Sequence, residues 1–182
     1  MKRHTLFFTF VTLSFFATAQ TNLSAKEMLQ DAYKKAAVEK KNVMVIFHAS
    51  WCGWCRKMDS SMNDATTKKF FSDNYVTIHF TVFESPENKK METPGAAEFN
   101  KLYKGDKAGL PFWLVMDSKG NLLADSFIRP AGGSLQISGD NIGCPSEPKE
   151  VDAFIKILKA TSKLSVQELA VIAKRFNKNR AH

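Results

Sequence analysis

The feature that most constrains this 182-residue chain is a Cys-x-x-Cys motif between two segments of different periodicity. Residues 42–49 before it are mostly apolar, with the length and composition of a buried strand. After Cys52 and Cys55, large apolar residues recur every four positions as far as Met62, as on one face of a helix. The sequence therefore predicts a core strand that ends at the two cysteines and a helix that begins there.

The position of the two cysteines predicts redox chemistry. The first turn of a helix has unpaired N–H groups and a partial positive charge, which lower the pKa of a thiol placed there. We therefore expect Cys52, at the exposed start of the helix, to be the nucleophile. Cys55, one turn deeper, is then the thiol that resolves a mixed disulfide. The Cys52–Cys55 disulfide is itself the redox group, and no other cofactor is expected.

Other roles for the cysteine pair are less favoured. A permanent disulfide within one helical turn would constrain very little of the chain. A zinc site needs about four ligands, and the sequence has no second Cys-x-x-Cys and no paired His motif, so we expect no metal. A c-type haem would require His where Arg56 stands.

Three features together carry a resemblance to a known family. Trp51 precedes the first cysteine, the motif follows a hydrophobic strand, and Leu110-Pro111 leads into a second hydrophobic strand. In these residues the chain resembles the thioredoxin-like superfamily, most closely its secreted or membrane-anchored bacterial branches. The resemblance implies an α/β fold, with a central mixed sheet of four to five strands flanked by helices.

The resemblance also implies roles for residues outside the motif. It implies a cis Leu110–Pro111 bond facing the active site, with the Leu110 backbone pairing with an extended substrate segment. A trans proline that merely starts a strand is the alternative. Trp51 and Trp54 are expected to be exposed and to grip the substrate.

The chain departs from the family pattern in two places. Ile46 stands where thioredoxins carry a buried Asp that assists proton transfer, and His48 stands where Trp is common. His48 is a candidate for tuning the thiolate pKa, and Glu84 at the end of the next strand is a candidate for proton transfer. The alternatives are a packed, hydrogen-bonded His48 and a solvated loop carboxylate at Glu84.

Alternating elements predict one α/β domain over residues 20–182. An inserted loop rich in Gly and Pro covers residues 130–147, and an additional C-terminal helix covers residues 165–177. The other predicted helices cover residues 25–41, 53–62, 67–72, 95–104 and 150–159, and the predicted strands cover residues 43–49, 75–83, 112–116 and 122–127.

The N-terminus reads as a signal peptide over residues 1–19. It has a basic start, an apolar block over residues 5–16 and a small-residue cleavage site, so that Gln20 begins the mature chain. We therefore expect an exported, periplasmic protein. The alternative is an uncleaved anchor or a buried N-terminal helix.

The charge of the chain excludes few functions. The formal net charge of +8 comes from scattered lysine pairs, which indicates a solvated basic surface and no nucleic-acid partner. A preference for acidic partners or an anionic membrane surface stays open.

Cys144, in the inserted loop, is an idle thiol, an intermolecular link or a third redox thiol.

These observations predict a thiol–disulfide oxidoreductase that reduces disulfides in other exported proteins, with a membrane electron donor. The first alternative is a disulfide oxidase or isomerase. The second is a non-enzymatic module that uses the same fold to bind a partner or a metal. No oligomeric state is predicted.

Overall fold

The computed structural model describes residues 23–130 and 132–180. The predicted signal peptide over residues 1–19 and its cleavage site before Gln20 lie outside the described residues. The helices are α1 (Ala25–Glu39), α2 (Gly53–Met62), α3 (Lys68–Asn74), α4 (Ala96–Leu102), α5 (Pro148–Thr161) and α6 (Val166–Phe176). The strands are β1 (Asn42–His48), β2 (Tyr75–Thr81), β3 (Phe112–Met116), β4 (Leu122–Asp125), β5 (Phe127–Ile128) and β6 (Asp140–Asn141).

Four strands form a mixed sheet in the order β2-β1-β3-β4. β1 is parallel to β2 and antiparallel to β3, and β3 is antiparallel to β4. The interior of β1 and the whole of β3 are buried, as the unbroken apolar runs of these two strands require. The predicted α/β fold with a mixed sheet is therefore confirmed, and α6 is the expected additional helix.

The two faces of the sheet carry separate apolar cores because successive β1 side chains point to opposite sides. Met44 and Ile46 lie in the core that also contains Met58 of α2 and Phe154 of α5. Val43, Val45 and Phe47 lie in the other core, with the buried residues of α1 and α4. The helix that follows the cysteines is thus fixed to the sheet along one face.

The first and last helices begin within one residue of their predicted starts. Ser24 and Glu27 form a capping box at α1, and Ser165 and Glu168 form another at α6. None of the helices in the described part of the chain is long and apolar enough to cross a membrane.

The segment after β4 differs from the prediction. The expected strand over residues 122–127 ends at Asp125, and the chain then forms β5, which pairs with β6 inside the loop expected to be irregular. The buried Asp125 carboxylate accepts the Phe127 N–H at 2.9 Å and pairs with the Arg129 guanidinium at 2.6 Å. These bonds redirect the chain out of the main sheet and begin the second hairpin.

Candidate active site

Cys52 and Cys55 form a disulfide at the amino end of α2. Their Cα atoms lie 5.3 Å apart, which is within the usual range for a disulfide. Cys52 is the N-cap of the helix, and its Sγ accepts a hydrogen bond from the Cys55 N–H at 3.1 Å. The sulfur predicted to be the nucleophile therefore occupies the position where a side chain normally satisfies a free N–H of the first turn.

The expected exposure of Cys52 was wrong. Cys52 is only 3% exposed and Cys55 is 2% exposed. Both pack in a small cluster with Ala49 and with the partly buried Leu110. Because Cys52 is an N-cap with extended backbone, its side chain turns in toward the helix, and the two neighbours cover the sulfur atoms.

Aromatic side chains flank the disulfide on the surface. Trp51 is 59% exposed and Trp54 is 43% exposed, as expected. The Trp51 indole N–H donates to the Phe83 carbonyl at 2.9 Å, and the Lys57 ammonium lies 4.4 Å from the centre of the Trp54 ring. Phe83, at φ 56°, is also exposed and was not predicted. The sequence feature that could have indicated this exposure is the position of Phe83 directly before a polar loop.

The Leu110–Pro111 peptide bond is cis. Pro111 is buried and Leu110 is half-buried against the two cysteines. Among the described residues, the Leu110 N–H and C=O have no hydrogen-bond partner. The backbone at Leu110 can therefore form hydrogen bonds to another polypeptide.

Glu84 is buried, so the interpretation as a solvated loop carboxylate was wrong. It accepts the Ser50 N–H at 2.5 Å and the Ser50 hydroxyl at 2.6 Å. These hydrogen bonds, with the charge of His48, lower the pKa of Glu84. The Arg56 guanidinium donates to the Ser50 carbonyl at 2.8 Å. Glu84 is thus an ionised carboxylate that holds the turn before the cysteines.

His48 belongs to a polar group beside α2. Its Nε2 lies 3.2 Å from the Thr81 hydroxyl and its ring centre lies 5.4 Å from that of His79. His79 is bonded at 2.8 Å to Asp59, which lies one turn after Cys55. Burial lowers the pKa of His48, His79 lowers it further, and Asp59 and Glu84 oppose the shift. Sequence analysis missed His79 and Asp59, because their pairing depends on how α2 crosses β2.

Cys144 is a free, buried thiol. Burial raises its pKa to about 12. The Asn179 amide donates to its Sγ at 3.5 Å and to the Pro145 carbonyl at 3.2 Å. Of the three roles left open by the sequence, these features favour the idle thiol.

The candidate site contains no evident metal centre. Among residues 23–130 and 132–180, no group of three or more His, Cys, Asp or Glu side chains is placed to hold a metal ion.

The fold and the site together define a class of protein. A four-stranded mixed sheet carries a two-cysteine disulfide at the start of the helix after β1, and a proline loop packs against it. Residues 24–118 match the Thioredoxin-like family, and the chain belongs to that family.

Two curated proteins and one solved structure show how the chain is related to others. It is 34% identical over 97 residues to the thiol:disulfide interchange protein DsbD of Colwellia psychrerythraea, covering 52% of this chain and 14% of that protein. It is 25% identical over 114 residues to the disulfide bond reductase DsbH of Chlamydia pneumoniae, covering 62% and 68%. The structure of a disulphide isomerase from Xylella fastidiosa Temecula1 is 18% identical, covers 93% of this chain and 98% of that chain, and has a TM-score of 0.48.

Proposed function

We propose that residues 20–182 form an exported thiol–disulfide oxidoreductase that reduces disulfides in other exported proteins. One observation carries this proposal. The Cys52–Cys55 disulfide caps α2, and the Cys52 sulfur already accepts a helix N–H at 3.1 Å. In the reduced protein the same N–H and the helix dipole stabilise a Cys52 thiolate, which lowers its pKa toward neutral pH.

The reaction proceeds in two exchanges of sulfur bonds. The Cys52 thiolate attacks one sulfur of the substrate disulfide; a mixed disulfide forms, and the other substrate sulfur leaves as a thiolate. Cys55 then loses its proton and attacks the Cys52 sulfur, which releases the second substrate thiolate and closes the Cys52–Cys55 disulfide. Two electrons pass to the substrate. With Ile46 in place of a buried carboxylate, we assign the proton of Cys55 to water.

The surface around the disulfide suits a polypeptide substrate. Trp51, Trp54 and Phe83 are exposed beside it and offer flat apolar contacts to an unfolded segment. The backbone groups of Leu110, which have no hydrogen-bond partner in the described part of the chain, supply hydrogen bonds to a substrate strand, as in β-augmentation.

Direction and location are further parts of the proposal. Continued reduction needs an electron donor that reopens the Cys52–Cys55 disulfide, and we assign this role to a membrane protein. The name of the relative from Chlamydia, a disulfide bond reductase, supports reduction over oxidation. Export is supported by the basic start and apolar block of residues 1–19.

The test measures the redox potential of the cysteine pair and the turnover of a disulfide substrate. The equilibrium potential of the Cys52–Cys55 pair is measured against glutathione in the Cys144→Ser protein, and we expect a value near the thioredoxin end, about −270 mV. A value near −120 mV, roughly that of DsbA, would assign the protein to oxidation instead.

Turnover of insulin disulfides with dithiothreitol separates the roles of the three cysteines. Cys52→Ser should abolish turnover, and Cys55→Ser should accumulate a mixed disulfide with the substrate. Cys144→Ser is the matched control and should keep wild-type turnover, because its thiol is buried and protonated. Full activity in Cys52→Ser would refute the proposal.

A further inference from the structure

Asn141, in β6 of the unexpected second hairpin, binds the loop that covers the disulfide. Its side-chain Nδ2 lies 3.0 Å from the Ala108 carbonyl oxygen, 3.1 Å from that of Pro111 and 3.4 Å from that of Gly109. The two amide hydrogens are therefore shared among three carbonyls. These carbonyls come from the residues on either side of Leu110.

The other end of the Asn141 amide is also occupied. Its Oδ1 accepts a hydrogen bond from the Ser126 hydroxyl at 2.7 Å and from the Gly143 N–H at 3.1 Å. The Ser126 hydroxyl in turn accepts the Trp113 N–H at 3.2 Å. Since the oxygen meets only donors and the nitrogen meets only carbonyls, the amide has one orientation, and neither Asp nor Leu reproduces both sets of contacts.

This network connects the second hairpin to the disulfide through Leu110. The side chain of Leu110 packs on Cys52 and Cys55, while its backbone N–H and C=O are unpaired among the described residues. With the flanking carbonyls held by Asn141, the loop keeps one conformation before a substrate arrives. A preformed loop binds a substrate strand without the cost of ordering it.

We propose that Asn141 is a positioning residue for polypeptide substrates, acting through the loop of residues 108–111. The inference rests on the proposed function, because it concerns substrate binding at the same disulfide. Asn141 does not contact the sulfur atoms. Its loss should therefore weaken substrate binding and leave the chemistry of the cysteine pair unchanged.

The experiment compares two substrates in steady state. Insulin presents a polypeptide strand to Leu110, whereas 5,5′-dithiobis(2-nitrobenzoic acid) presents only a small disulfide. In Asn141→Ala the KM for insulin should rise about 2- to 10-fold, the effect of one net hydrogen bond. Its kcat, its rate with the small disulfide and the potential of the cysteine pair should stay at wild-type values.

A matched control separates positioning from general stability. Asn42 also donates from its side-chain amide to a backbone carbonyl, that of Thr161, at 2.8 Å. Asn42 is the first residue of β1, and the cysteines follow the other end of that strand. Asn42→Ala should lower the melting temperature and leave the insulin KM unchanged. If Asn42→Ala raised KM as much as Asn141→Ala, the effect would be one of stability and the inference would be overturned.

Asn141→Asp keeps the test valid if the alanine variant does not fold. It has nearly the same shape and keeps the acceptor for Ser126 and Gly143, but it turns a carboxylate oxygen toward three carbonyls. We expect a larger rise in insulin KM than in Asn141→Ala. An unchanged KM, or equal losses with both substrates, would overturn the inference. A wild-type protein inactive on both substrates would instead refute the proposed function.

Discussion

Two turns of this molecule each hold a buried cysteine shortly before a helix, but Cys52 is in a disulfide and Cys144 is a free thiol. Cys52 before α2 is 3% exposed, and Cys144 before α5 is 5% exposed. The Cys52 sulfur faces a helix N–H at 3.1 Å, whereas burial dominates at Cys144 and raises its pKa to about 12. We therefore expect the two thiols to differ in reactivity although both are buried, because only Cys52 caps a helix, whose dipole and first-turn N–H groups favour a thiolate.

The contacts that hold the two turns also differ. Ser50, before Cys52, is held by the charged side chains of Glu84 and Arg56. At the Cys144 turn, the Trp113 indole N–H donates to the Gly143 carbonyl at 2.9 Å and the Asn179 amide donates to the Pro145 carbonyl at 3.2 Å. The Glu150 carboxylate accepts the N–H groups of Ser146 and Glu147, both at 3.0 Å. Both turns thus include a hydrogen-bonded carboxylate, and the Cys52 turn is distinguished by the helix N–H at its sulfur.

The largest expected difference between the turns is in thiol reactivity. In the reduced protein at pH 7, iodoacetamide should alkylate Cys52 at least about 1,000-fold faster than Cys144, because a thiol with a pKa of about 12 has very little thiolate at that pH. Peptide mass spectrometry measures both rates. In urea the two rates should converge. Similar rates in the folded protein would mean that Cys144 is a third reactive thiol.

A smaller effect is expected from the carboxylate that holds the active turn. Glu84→Gln should lower the melting temperature at pH 7 by about 5 °C, because an ionised acceptor is lost from two hydrogen bonds to Ser50. The pKa of Glu84 is lowered from 4.5, so its contribution is present above that pH and is lost as the pH falls.

The melting temperatures of wild type and Glu84→Gln should therefore converge below about pH 4.5. Ser50→Ala is the matched control; it removes the hydroxyl bond and keeps the N–H bond, so its effect should be about half as large. A gap that stayed constant down to pH 3 would show that the charge of Glu84 is not involved.

The smallest effect is expected at His48. The pKa of His48 is lowered from 6.5, so the unfolded state takes up this proton more readily than the folded state. Its contribution to stability is present above pH 6.5 and is lost as the pH falls through the folded-state value. Between pH 7 and pH 5, the urea midpoint should fall further in wild type than in His48→Gln.

Asn42→Ala keeps His48 and serves as the control for that measurement. Its urea midpoint should start lower than that of wild type and fall by the same amount on acidification. Equal falls in all three proteins would show that His48 titrates alike in the folded and unfolded states.

Local patterns were enough to predict the parts of the fold that depend on neighbouring residues. The strand before Cys52 and the helix after it follow from the periodicity of their apolar residues. The mixed sheet could also be predicted, because strands that alternate with helices permit few arrangements, and the structure confirms it.

The missed parts depend on contacts between distant residues. Glu84 meets Ser50 across 34 positions, and Asn141 meets Ala108 across 33. No local pattern marks either contact, because a carboxylate or an amide in a loop is usually solvated. The burial of Cys52 was missed in the same way, since it depends on Leu110, which reaches the cysteines only after β3 has joined the sheet.

The placement of the three tryptophans gives the molecule a built-in optical reporter. Trp51 and Trp54 are exposed on either side of Cys52, whereas Trp113 is fully buried in the core against Phe154. A disulfide quenches the fluorescence of an adjacent indole, and a pair of thiols quenches it less. Reduction should therefore brighten the two surface indoles above a constant signal from the buried one, so the redox state of the protein can be followed without a label.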